Sequence, residues 1–297
     1  MKVSVIIPSL TGDVRARIPD DPRIEIVVVP DLSPVGRARN VGLKRATGDY
    51  IAWVDADDEI TDDWWKEIST VLEREEPDVL TFDLAYVGWT NRRDFVWGVR
   101  QTDATPLRLL KDVCRDMCRP SSLCLYVTKR ILWDSLTFDE QIRVAEDYIL
   151  LPQVLVRAKS CAYVPKKLYR YIRNRNSLIN TRRWEQENDV LQAWERRFES
   201  VSAVCRNAAI WGAAVSSYWM CDYVAVRPSL ERVENAQKNA RRCRAFVWAN
   251  FPCLLHDVVL AHELPVRQRL EWLLKFLCVV LNFWWIQIWR HRGLGEQ

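Results

Sequence analysis

Gly48-Asp49-Tyr50-Ile51-Ala52-Trp53-Val54-Asp55-Ala56-Asp57-Asp58 is the stretch on which the reading of this 297-residue chain turns. Tyr50 to Val54 is a short apolar run of β-branched and aromatic residues with no polar interruption, which predicts a buried strand. It runs directly into three carboxylates within four positions, Asp55, Asp57 and Asp58. In an open α/β sheet, ligands bind in the crevice outside the carboxyl ends of the strands. Carboxylates crowded there repel one another unless a cation neutralises them, and hard ions such as Mg²⁺ or Mn²⁺ suit oxygen ligands. Aspartates also form turns and open helices, here the helix containing Trp64 and Trp65. Spacing alone leaves both readings standing.

Working outward, Val3 to Pro8 reads as a strand ended by proline, Thr11 to Arg23 as a loop, and Ile24 to Val29 as a strand stopped by Pro30. Arg37 to Ala46 is rich in helix formers, with Gly48 as a C-terminal stop. Strand, connection, strand, helix, strand is the pattern of a mostly parallel sheet flanked by helices. Downstream, a helix is expected to about Glu75 and strands over Val79 to Val87 and Phe95 to Val99. Thr105-Pro106 starts a helix reaching about Cys118, and Leu123 to Val127 is a further apolar run of strand length. Glu146 to Arg157 has helical period, and Cys161 to Val164 and Leu168 to Ile172 read as two short strands. From Arg183 only helical periodicity remains, broken by Pro228, Pro252 and Pro265. The expected organisation is an α/β domain over residues 1–182, divided near residue 100, and an all-helical region over 183–297.

An apolar fraction of 49% and a charged fraction of 28% are ordinary for a globular protein. A net charge of +4 argues against a dedicated nucleic-acid binder; Lys238, Arg241, Arg242 and Arg244 form one basic patch without a recognised motif. Nine cysteines occur without Cys-x-x-Cys pairs, and Cys114 and Cys118, one turn apart, have no histidine near. Reduced thiols in a cytoplasmic protein are expected. Val3 to Ile7 is too short for a signal-peptide core. Fifteen tryptophans are unusual. The most apolar stretch, Leu270 to Trp289, is interrupted by Lys275, Asn282 and Gln287, whereas a spanning helix needs about 20 mainly apolar residues. Its tryptophans, flanked by Arg267, Arg269, Arg290 and Arg292, suit a helix lying in the headgroup region at the inner face of a membrane. A helix packed on the protein body or on a partner fits equally.

Three further constellations have chemistry to offer. Ala38-Arg39-Asn40-Val41-Gly42-Leu43 opens a helix with an arginine, an arrangement that favours an anion such as phosphate but also describes a surface arginine and a cap. Phe138-Asp139-Glu140 and Val144-Ala145-Glu146-Asp147-Tyr148 put an acidic pair at a helix start, explained by the helix dipole or by a general base facing a cleft. Tyr169-Arg170-Tyr171-Ile172-Arg173-Asn174-Arg175-Asn176-Ser177 alternates arginines that would hold a diphosphate or form the polar edge of a strand.

Taken in this order, the pieces make residues Met1 to Asn180 resemble the inverting family-2 glycosyltransferases with the GT-A fold. The opening strand, Ala38-Arg39-Asn40 with Gly42, and Ala46-Thr47-Gly48-Asp49-Tyr50 leading into Asp55-Ala56-Asp57-Asp58 match that family's donor half. Phe138 with Glu146-Asp147 and the Tyr169 to Ser177 segment match its acceptor half. The resemblance implies that Asp57 and Asp55 bind a divalent metal, Mn²⁺ or Mg²⁺. It also implies that Pro8, Ser9, Leu10, Asp31, Arg39, Asn40, Asp55, Ala56, Asp57, Arg173 and Arg175 contact a nucleotide-sugar donor. Asp147, with Glu146 beside it, becomes the catalytic base. Two departures stand out. Ser9-Leu10-Thr11 occupies the place of the family's tyrosine and asparagine, and Pro30-Asp31-Leu32-Ser33 that of its Asp-Asp-Gly-Ser turn. About five residues separate Ser33 from Arg39, where most relatives have a helix and a strand, so Ile24 to Val29 corresponds to either of two family strands.

The expected activity is sugar transfer from a nucleotide-diphosphate donor to a hydroxyl of a polysaccharide, glycan or lipid-linked acceptor. A non-catalytic, membrane-associated scaffold retaining the fold is the alternative. A sugar-phosphate nucleotidylyltransferase would carry a glycine-rich loop after the first strand, which Pro8 to Gly12 does not supply.

Overall fold

In the computed structural model, residues 1–89, 94–115, 120–174, 184–225, 234–260 and 266–281 are described. They divide into two compact units, residues 1–113 with 119–182, and 114–118 with 183–297.

The first unit is built on one seven-stranded sheet: β1 (Val3–Ser9), β2 (Ile24–Pro30), β3 (Tyr50–Trp53), β4 (Glu59–Ile60), β5 (Val79–Val87), β6 (Tyr126–Lys129) and β7 (Cys161–Ile172). Their order across the sheet is β2-β1-β3-β6-β5-β7-β4. β1 pairs in parallel with β2 and β3, and β5 with β7, while β6 is antiparallel to both its neighbours and β4 to β7. Five strands therefore run one way and only β6 and β4 oppose them. Val3, Val5, Ile6 and Ile7 of β1 are fully buried. That follows from a strand covered on both faces, and each such side chain contributes about 1.5–3 kcal/mol.

The helices are α1 (Val35–Arg45), α2 (Trp64–Glu75), α3 (Pro106–Arg115) and α4 (Glu146–Arg157). α1 buries Gly36, Ala38, Arg39, Asn40 and Gly42. Gly42 is there for close approach, since a Cβ on it would collide with the Ile6 side chain of β1. The sequence turns Trp64 and Trp65 of α2 inward with Ile68 and Leu72, a 3.6-residue stripe against the sheet.

In the strands of this unit three expectations change. Phe95 to Val99 forms a single bridge, Phe95 to Leu84, rather than a strand. Leu123 to Leu125 tightens into a 3₁₀ turn, and the strand begins only at Tyr126. Cys161–Ile172 is one strand rather than two, because a register shift beside Asp83 absorbs the exposed Pro165–Lys167 stretch without breaking the ladder.

The second unit holds α5 (Trp184–Ala225), α6 (Glu234–Leu260) and α7 (Val266–Leu281). Cys205 leaves helical geometry inside α5, whereas Pro252 is carried within α6 without ending it. The core gathers Trp211, Tyr218, Val247, Trp272, Phe276 and Val279 among others. Lys275 does not interrupt an apolar face. It turns inward, its Nζ 4.2 Å from the centre of the Trp272 ring, with the rings of Tyr218 and Trp219 also beside it. Among the described residues no helix is long and apolar enough to cross a membrane, and the eight described cysteines are free thiols.

Candidate active site

The carboxyl ends of β1, β2, β3, β5 and β7 share one edge of the sheet, because these strands run the same way. Ser9, Asp31, the Asp55–Asp58 loop and Arg173-Asn174 all lie there. Asp31 adopts a positive φ of 58°, a conformation aspartate tolerates, and its N–H donates to the Ser9 carbonyl at 3.2 Å. The Ser9 hydroxyl donates to the Asp13 carbonyl at 2.8 Å, and Leu10 is exposed. The Ala56 carbonyl accepts the Arg15 N–H at 2.8 Å, tying the carboxylate loop to the segment after β1.

Within the loop the three aspartates have different surroundings. Asp57 is exposed and accepts a hydrogen bond from Asn174 Nδ2 at 2.8 Å. Asp55 is partly exposed, its N–H donating to the Tyr169 hydroxyl at 3.1 Å. Asp58 is buried; its carboxylate accepts the Tyr169 hydroxyl and the Ile172 N–H, each at 2.8 Å. Burial first, then the charge of Asp55 and more weakly that of Asp57, push the Asp58 carboxyl up to about 8, against the pull of those two hydrogen bonds. The sequence put Asp58 in the carboxylate cluster and Tyr169 in the arginine-bearing segment, without a role of its own for either. Their structural part is to lash the loop to β7, and only the pairing of β4 with Tyr169-Arg170 makes that visible.

Arg39 is the other centre. Its guanidinium is buried, with one terminal nitrogen 3.3 Å from Asp55 Oδ1 and the other paired with the buried Glu146 carboxylate. The rings of Trp53 and Phe138 flank it, each 5.8 Å away. Its Nε has no hydrogen-bond partner among the described residues. Both terminal nitrogens of this sequence-assigned donor contact are thus engaged by protein carboxylates. Asn40 is engaged likewise: its side-chain amide donates to the Phe138 carbonyl at 2.9 Å and to Glu140 at 3.0 Å, and accepts the Phe138 N–H at 2.8 Å. Neighbouring residues of α1 therefore fix the acidic segment preceding α4. Ala145, directly before Glu146, sits in the left-handed region at φ 66°, a conformation that costs a non-glycine residue energy and tends to cluster at functional sites. Asp147 is partly exposed and accepts the Tyr148 N–H at 2.9 Å. Arg173 is exposed, and Arg175 lies outside the described residues.

No group of three or more His, Cys, Asp or Glu side chains among the described residues could cage a metal. Mg²⁺-type ions do not require one, since one or two carboxylates with substrate phosphates suffice. Asp55 and Asp57, both solvent-accessible on one loop at the sheet's carboxyl edge, fit that mode of binding.

A sequence profile of glycosyl transferase family 2 matches residues 11–124. The poly(ribitol-phosphate) β-N-acetylglucosaminyltransferase TarS of Staphylococcus aureus is 26% identical over 140 residues, 47% of this chain but only 24% of TarS. The succinoglycan biosynthesis protein ExoO of Rhizobium meliloti is 27% identical over 281 residues, covering 86% of this chain and 73% of that protein. In solved structures, residues 1–349 of TarS in complex with UDP-GlcNAc superpose with a TM-score of 0.62 at 15% identity, over 95% of this chain and 91% of that one.

Proposed function

From the premise of a family-2 glycosyltransferase domain on a GT-A fold, we propose that this chain moves a sugar from a nucleoside-diphosphate donor to a hydroxyl of a glycan or lipid-linked acceptor, with inversion. The observation that carries the proposal is the Arg39 bridge. One buried guanidinium holds both Asp55, of the candidate cation pair, and Glu146, the residue before Asp147.

In this mechanism the acceptor oxygen attacks the anomeric carbon while Asp147 takes its proton, and the bond from that carbon to the diphosphate oxygen breaks with its electron pair. General-base help of this kind contributes about 10²–10⁴ in rate. A Mg²⁺ or Mn²⁺ on Asp57 and Asp55 would neutralise charge on the departing diphosphate. Arg173 and Arg175 are the diphosphate contacts; Pro8, Ser9, Leu10, Asp31 and Ala56 line the donor side. Arg39, Asn40 and Glu146 act as positioning residues that hold the base-bearing helix at a set distance from the cation loop.

The test is a thermal-shift panel of nucleoside diphosphates with and without Mn²⁺. Uridine nucleotides and UDP-GlcNAc come first, because TarS was solved with that donor. A nucleotide at 100 times its Kd stabilises the native state by about 2.7 kcal/mol. Asp57→Ala should lose the metal-dependent part of that shift. A panel in which no nucleotide stabilises the protein overturns the proposal.

The same reading places the protein in the cytoplasm, at the inner face of a membrane. α7 leaves Val266, Leu270, Leu274 and Leu281 exposed, with Arg267 exposed beside them, the spacing of one helix face. Co-sedimentation with anionic vesicles should be lost in Leu270→Glu/Leu274→Glu; undiminished binding removes α7 from that role.

A further inference from the structure

Beside the carboxylate loop the rings of Tyr86, Trp89 and Tyr171 stand together. Tyr86 and Tyr171 are register partners in the β5–β7 ladder, with ring centres 5.8 Å apart. Gly88, at φ +76°, turns the chain back, so that Trp89 lies 6.2 Å from Tyr86 and 6.0 Å from Tyr171. The Arg173 guanidinium lies 5.8 Å from the centre of the Trp89 ring, and its backbone N–H donates to the Val87 carbonyl at 2.9 Å.

Side chains two apart on a strand share a face. Tyr171 therefore stands on the same face as Tyr169, whose hydroxyl touches both Asp55 and Asp58. Two residues beyond Ile172, Asn174 binds Asp57. The ring cluster is thus the outward continuation of the candidate transfer centre.

The cluster is not closed off from solvent. Tyr169 and Phe82, on the same two strands, are fully buried, whereas Tyr86, Trp89 and Tyr171 keep part of their surface in solvent and Val87 and Gly88 are exposed. Small-molecule sites pair aromatic walls with a few placed polar groups. The apolar C–H face of a pyranose matches such a wall, and the tyrosine hydroxyls supply the polar rim. We infer that Trp89, Tyr171 and Tyr86 form a stacking platform for a pyranose ring of a saccharide acceptor. This rests on the transferase reading above.

The full chain is probed on an array of neutral and phosphate-bearing oligosaccharides and, in parallel, by the UDP thermal shift with Mn²⁺. The wild type should retain one saccharide class. Trp89→Ala and Tyr171→Ala should bind it about tenfold more weakly, equivalent to about 1.4 kcal/mol, while Trp89→Phe and Tyr171→Phe stay close to wild type. The UDP shift should persist in all four. Unchanged saccharide binding by Trp89→Ala overturns the platform, as does a wild type that retains none of the saccharides. Loss of the UDP shift in Trp89→Ala also overturns it, assigning the rings to the nucleobase. Failure of the transferase reading looks different: the wild type itself then shows no nucleotide shift. Because Trp89→Phe keeps an aromatic core, it separates loss of stacking from loss of folding.

Discussion

Arg39 in the sheet-containing unit and Lys275 in the helical unit are both buried cations, 6% and 8% exposed, and they are accommodated by opposite means. Arg39 is compensated by two carboxylates, Asp55 and Glu146, with a third, Asp58, crowding Asp55. Lys275 is compensated by the faces of Trp272, Tyr218 and Trp219 and by Glu271, 2.7 Å away and half exposed. Removing the charge from Arg39 would strand buried negative charge. Removing it from Lys275 would strand none, because Glu271 can return to water. The first arrangement restricts where two candidate site segments sit; the second fills space between helices.

The largest expected effect asks whether the acidic segment that Arg39 holds is catalytic. Asp147→Asn should lower transfer by about 10²–10⁴ while leaving the nucleotide thermal shift in place, and appreciable turnover would remove Asp147 from the base role. Next comes the direct contrast between the cations. Arg39→Met should destabilise the fold by about 3–5 kcal/mol, the cost of breaking a buried ion pair from one side. Lys275→Met should change stability by about 1 kcal/mol or less, since cation–π contacts are worth about 0.5–2 kcal/mol and the methionine recovers packing. Equal losses in chemical denaturation would erase the distinction.

The smallest effect concerns a third kind of charge. Burial works against the Glu25 carboxylate, yet hydrogen bonds from Ser4, Thr47 and Lys2 outweigh it and lower its pKa to about 2. A carboxyl lowered by folding lends stability that is present above its unfolded pKa and lost as pH falls through the folded one. Glu25→Gln should therefore be less stable than wild type at neutral pH, with the gap closing as pH falls towards 2. A gap that stays constant in acid melts would sink this account.

What could be read from the chain follows from how local each signal is. Tyr50 to Val54 running into Asp55-Ala56-Asp57-Asp58 needs only a strand and its end, and it placed the carboxylates correctly at the sheet's carboxyl edge. The carboxylate partners of Arg39 were illegible because Glu146 lies 107 residues away; nothing within α1 announces a buried ion pair. The same distance problem hid the role of Asn40, whose partners are at Phe138 and Glu140. Lys275 was read as a polar interruption because hydropathy weighs its ammonium and ignores which rings surround it. Cys161 to Val164 and Leu168 to Ile172 read as two strands, but a register shift joins them across Pro165. The spacing of Tyr169 and Tyr171 was a usable clue to a shared face. Without the partner strand it had no destination.

The two-residue strand β4 has a geometric consequence. It lies four places from β3 in the sheet, which in a flat sheet is about 19 Å at ~4.8 Å per strand. Six residues from Trp53 to Glu59 reach about 21 Å only when drawn straight. They are not drawn straight, for Asp55 and Asp58 close a turn at 3.1 Å. The strands between β3 and β4 must therefore curve towards the loop, and there the Asp55 N–H donates to the Tyr169 hydroxyl of β7. How far the strands between β3 and β4 can spread at this edge is therefore limited by the number of residues between Trp53 and Glu59.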